Sequence, residues 1–152
     1  MAGVHGNRVL PGDTQRSASV KALFTLEAFT GLTGMVGGVL LTARPDGSLL
    51  QMPSSTLSAL ARHSPFPYFF VPGLLLAVIV GGGMLTAAVL HFQRRRYANE
   101  VAVAAGGSLV IFEIVEYSAI GFMPLQAFEA IVGLLVLGMA ARGRPRSVVG
   151  AA

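Results

Sequence analysis

The chain contains no cysteine, which excludes disulfides, thiolate metal sites and thiol redox chemistry together. It is also poor in charge. Asp, Glu, Lys and Arg make up 12% of the residues, against roughly 25% in ordinary soluble domains. A water-exposed surface is hard to assemble from that stock. Catalytic signatures are missing too: there is no P-loop, no Gly-x-Ser-x-Gly, no HExxH and no Ser/His/Asp constellation. His5 sits in the N-terminal tail, while His63 and His91 fall at opposite ends of an apolar run. No catalytic residue is assigned, and nucleic-acid binding is not expected from three arginines beside a membrane segment.

What the chain has is hydrophobic length. Of its 152 residues, 53% are hydrophobic and the mean hydropathy is +0.68. Runs near 20 residues recur, enough to cross a ~30 Å hydrocarbon core at 1.5 Å per residue. Four spans are expected, at 21–43, 68–92, 98–122 and 124–141. The runs lack the alternating ten-residue segments of a membrane barrel. A helix satisfies its backbone amides within one segment, as lipid requires. The expected fold is therefore all-α, a polytopic four-helix bundle over residues 21–142. Residues 1–20 and 143–152 read as polar tails, with 1–20 flexible. The first run is too long for a signal-peptide core of 7–15 residues, so it is read as a retained helix.

Basic residues set the expected orientation. Arg8, Arg16 and Lys21 precede span 1, Arg94, Arg95 and Arg96 separate spans 2 and 3, and Arg142, Arg144 and Arg146 follow span 4. The 44–67 loop holds only Arg44 and Arg62. Both termini are thus expected in the cytoplasm. Pro45-Asp46-Gly47 signals a turn, and Ser54 or Ser55 is positioned to cap a short helix to about Arg62, with Leu57, Leu60 and Ala61 on one side. Phe66, Tyr68, Phe69 and Phe70 fall where an aromatic belt is expected. Gly34 and Gly38 have the small-xxx-small spacing that lets helix backbones approach, within one bundle or between two copies.

Four of the seven acidic residues lie inside the apolar parts of the spans, which in the third is 101–122: Glu27, Glu113, Glu116 and Glu129. A carboxylate at mid-membrane costs ~2.5–3.5 kcal/mol on insertion scales, so each needs a reason. Glu113 and Glu116 stand at i, i+3, as do Gln126 and Glu129, each pair sharing a helix face. If those faces meet, Glu113, Glu116, Gln126 and Glu129 share one layer of the outer half, with Tyr117 beside them. Three ionised carboxylates that close repel one another on top of desolvation. Relief would come from protonation, from Arg62 or His63 folding down, from a cation, from water, or from a basic residue of a partner subunit. A di-metal bundle uses Glu-x-x-His pairs, which these helices lack; the metal question stays open. Glu27 lies near the other membrane face, at a level where His91 or Arg94 can pair with it.

The stretches LEAFTGLTGMVGGVLL, ARPDGSLLQMPSSTL and SPFPYFFVPGLLL, followed by a basic break, resemble small four-helix bacterial membrane proteins, actinobacterial-like in residue usage and loosely similar to the DoxX-like group. The resemblance covers about residues 24–142 and implies an inner-membrane bundle. Some members of that group are linked to membrane redox or quinone chemistry, but without cysteine the thiol-based versions do not transfer. Glu113 and Glu116 depart from the more apolar segment of such relatives. Three functions stay open: a non-enzymatic accessory subunit or small-ligand-binding bundle with an outward-facing acidic pocket; a proton- or cation-translocating transporter; and a quinone-associated redox component. The lipid bilayer is the one partner implied throughout, with a larger membrane complex or a homo-oligomer as further options; no cofactor is specified.

Overall fold

Each of the four expected runs folds as a helix. The computed structural model describes residues 11–143, with side chains from residue 18 onward; the expected tails around His5, Arg8, Arg144 and Arg146 lie outside the described residues. Helix α1 is Pro11–Ala43, α2 is Ser54–His63, α3 is Phe70–Phe92, α4 is Ala98–Ile120 and α5 is Pro124–Arg142. Among the described residues there is no strand.

Four of these helices are long and apolar enough to cross a membrane, over Ala18–Ala43, Phe70–Phe92, Ala98–Ile120 and Pro124–Arg142. The shortest has 19 residues, or ~29 Å at helical rise. Their outer faces carry Val36, Val39, Val78, Ile111, Ile114, Ile131 and Leu134, all exposed. So broad an apolar surface suits lipid rather than water. The protein is a multi-pass membrane protein.

Packing runs in a ring. α1 lies against α3, α3 against α4, α4 against α5, and α5 closes back on α1. Alternating directions put the 44–69 connection and the 121–123 turn at one end, here the loop end. The α3–α4 turn, the start of α1 and the end of α5 lie at the other, the terminal end. The centre is filled by Val80, Met84, Ala87, Ala102, Ala105, Leu109, Val132 and Val136.

The α1–α3 seam depends on missing side chains. A Cβ on Gly38 would stand 2.5 Å from Ala77 N and from Gly73 O, and one on Gly81 would stand 2.6 Å from Met35 N. Backbone occupies the space a methyl group would need. At Gly34 the nearest atom would be 3.5 Å away, an ordinary contact. The Gly34/Gly38 pair is therefore used inside the chain, and only Gly38 is sterically compelled. Within α3, Leu76–Gly81 is a π-helical segment, which places Ala77, Val80 and Gly81 on that seam.

Several boundaries differ from expectation. α1 begins at Pro11 rather than 21, because proline at the first helical position lacks only an amide that has no helical partner there. The α2 cap is Pro53, not Ser54 or Ser55: Thr56 N–H donates to Pro53 O at 2.9 Å and no side chain caps the helix. Its buried side is Thr56 and Leu60, while Ala61 is exposed. Phe69 leaves the aromatic belt to pack with Leu41, Leu60 and Ala119 beneath α2. The Pro45-Asp46-Gly47 turn is present, with Gly47 at φ 77° and Ser48 N–H donating to Asp46 Oδ1 at 3.0 Å.

Candidate functional site

At the loop end, α4 and α5 pack closely against each other. The turn between them is short because Gly121 adopts φ 82° and Pro124 starts α5. Gln126 then reaches back, its Oε1 accepting from Met123 N–H at 2.9 Å. That bond holds the start of α5 and turns the Gln126 amide nitrogen inward. The residue is 6% exposed, and its amide lies against the Glu116 carboxyl.

Glu113 enters the same interface from α4. It is 3% exposed, no donor group reaches either carboxyl oxygen, and its hydrogen-bond neighbour is a second acid, Glu129. Glu129 of α5 and Glu116 of α4 are its electrostatic neighbours; Glu116 in turn feels Glu129 and lies beside the Gln126 amide. The four residues are thus brought to one level of one helix pair. Tyr117 is not: it is 58% exposed and faces outward, since consecutive helical residues point about 100° apart. Arg62 and His63 are both exposed at the end of α2, and neither forms an ion pair with these carboxyls among the described residues. Among the described residues, no three His, Asp or Glu side chains are grouped to hold a metal ion.

Glu116 has a second role that sequence reasoning missed. It lines a cavity of about 550 Å³ between α3 and α4, roofed by the end of α2 and by Ser64, Pro65 and Phe66. Its walls are apolar: Leu75, Ile79, Val80, Ile111, Phe112 and Val115. Leu75, Ile79, Ile111 and Val115 are also exposed on the outer surface, so the cavity borders the lipid-facing side. Its serines are already engaged. Ser108 donates to Ala105 O at 2.8 Å, Ser118 to Val115 O at 2.6 Å, and Ser64 bonds the Phe66 backbone. His63 also lines the cavity, its Nδ1 3.0 Å from Ala59 O. With Nδ1–H donating there, Nε2 is an acceptor. The polar groups left for a ligand are the Glu116 carboxyl and His63 Nε2, and both accept.

The terminal end is built differently. Glu27 is 0% exposed, yet its Oε2 stands 2.8 Å from His91 Nδ1, while His91 Nε2 lies 3.0 Å from Asn99 Oδ1. Three helices each contribute one member. Asn99 carried no signal in its own right; its place eight residues after His91, across a short basic turn, was the available clue. Arg94 is exposed in that turn and makes no ion pair with Glu27. From Asn99 to Glu113 along α4 is fourteen residues, ~21 Å at helical rise. The intervening core positions of α4 are Ala102, Ala105, Gly106 and Leu109, which offer no side chain to carry a proton.

Compared with protein-family models, curated proteins and solved structures, the chain matches none. The DoxX-like resemblance rests on the quoted residues alone.

Proposed function

We propose that this protein is a non-enzymatic binding bundle of a bacterial inner membrane that holds an amphiphilic small molecule in the α3–α4 cavity. The observation that carries the reading is the cavity itself. Its volume falls in the ~300–1,000 Å³ range of small-molecule sites, its walls are apolar, and its unspent polar groups are Glu116 and His63. An apolar chain would lie along Ile79, Ile111 and Phe112. Two acceptors select a head group that donates hydrogen bonds or carries positive charge. The arginine distribution supports an orientation with the loop end, and so the cavity, toward the outside.

Long-chain alkylamines, fatty acids of equal length and a quinone, titrated into the detergent-purified protein, test this. The amine is expected to bind, the carboxylate to bind at least about tenfold more weakly, and Glu116→Gln to remove the preference. Equal binding of amine and carboxylate would overturn the head-group assignment. Tighter binding of the quinone would favour the redox alternative.

A second reading rests on Glu113, whose carboxyl, set against Glu129 with no donor in reach, offers a place for a proton or a monovalent cation. Translocation would require flux in liposomes that Glu113→Gln abolishes. The apolar centre between the two ends supports a site rather than a pathway.

A further inference from the structure

The terminal end carries a second cavity, of about 400 Å³, lined by Lys21 of α1, by His91, Arg94 and Arg95 at the α3–α4 turn, and by Asn99 of α4. Three cations converge on it from two elements. Among the described residues none of them has a carboxylate within ion-pair distance. The nearby acid cannot serve: Glu27 is fully buried beneath the cavity and bonded to His91. Among the described residues, the positive charge around this opening has no acidic partner.

The turn fixes where the arginines stand. Arg94 N–H donates to His91 O at 3.1 Å and Arg95 N–H to Leu90 O at 2.9 Å, with Arg94 at φ 53°. That left-handed backbone is unusual for a residue with a Cβ. Arg95 Nε donates to Gln93 Oε1 at 3.3 Å, a neutral partner that orients the guanidinium without cancelling its charge. Arg96 differs: its guanidinium lies 4.3 Å from the Tyr97 ring centroid and does not line the cavity. A generic basic patch would use all three arginines alike.

We infer that this cavity is a binding site for a phosphate group, with Lys21, Arg94 and Arg95 as its donors. Guanidinium forks and an ammonium match the several acceptor oxygens of a phosphate, and basic pockets between membrane helices take phosphate head groups. The phosphate belongs either to an anionic lipid or to a water-soluble phosphate ester. This inference stands independently of the ligand of the α3–α4 cavity.

Native mass spectrometry of the full chain in dodecyl maltoside, titrated with short-chain phosphatidylglycerol, provides the test. Diacylglycerol serves as the phosphate-free control, with glycerol 3-phosphate as competitor. Phosphatidylglycerol is expected to bind where diacylglycerol does not. Arg94→Gln and Arg95→Gln should each weaken it about fivefold, from roughly 1 kcal/mol per basic residue, and Arg96→Gln should leave it unchanged. Competition by glycerol 3-phosphate identifies a soluble ester as the source; lack of competition identifies the lipid. Should an arginine variant fail to fold, Lys21→Gln carries the same expectation. Equal losses for Arg94→Gln and Arg96→Gln, or no binding of either phosphate compound, would overturn the site.

Discussion

The two ends of this bundle bury the same functional group in opposite ways. At the terminal end, Glu27 loses all contact with solvent but gains His91, which is itself held by Asn99. At the loop end, Glu113 is almost as buried, but what it meets is a second acid, Glu129, with no base or donor in reach. A buried carboxyl with a partner on a neighbouring helix is explained by the fold. One set against a second acid is explained only by a proton or cation that joins the two, or by a cost the protein tolerates. Burial alone therefore does not separate structural from functional acids; the partner list does.

Removing His91 should break the contrast most severely. His91→Leu leaves Glu27 buried and unpaired, an outcome that typically costs ~3–5 kcal/mol, read as a lower midpoint in thermal unfolding followed by circular dichroism in detergent. Glu27→Leu combined with His91→Leu should recover most of that loss, because neither charge remains to be compensated. A double variant no better than the single would mean the pair contributes more than mutual compensation.

The comparison also needs a rigid middle that holds the ends apart. Gly38→Ala forces a methyl group into backbone atoms 2.5 Å away, and overpacking of this kind costs ~1–3 kcal/mol. Gly34→Ala, with 3.5 Å of clearance, should stay within ~0.5 kcal/mol. If the two variants instead disturb an oligomer equally and leave the monomer's stability alone, the glycines serve contacts between copies.

Glu113→Leu sharpens the contrast by its sign. Replacing a buried carboxyl that meets only another acid with an apolar side chain should raise stability, by ~1–3 kcal/mol, where the His91 change lowers it. A loss of similar size at both ends would show that Glu113 has a bound partner in the purified protein.

The smallest effect lies outside the membrane. Ser48 donates its backbone N–H to Asp46 and holds that carboxyl below its ordinary value of 3.8. A depressed carboxyl stabilises the fold above its unfolded value and loses that contribution as pH falls through the lower folded value. The turn should therefore loosen only in acid, seen as lower protection of the Ser48 amide relative to its intrinsic exchange rate at each pH. Asp46→Asn, which keeps the acceptor oxygen, should remove the pH dependence; an unchanged acid response would place its origin elsewhere.

Residue order alone determined that this chain crosses a membrane four times as helices, because run length and low charge leave lipid-embedded backbone no other economical form. It also determined the depth of each carboxyl, since rise per residue is fixed. It placed Glu27 level with His91 and gathered Glu113, Glu116 and Glu129 near the opposite end. Rotation about each helix axis was a different matter. These spans are apolar nearly all round, so no hydrophobic stripe says which side faces a neighbour. Close backbone approach at Gly38 and Gly81, the local Gln126 bond and the π-helical segment of α3 settled that rotation only once the helices had met. Tyr117 turned outward, Glu116 came to line an apolar cavity, and Asn99 closed the His91 arrangement through tertiary packing alone.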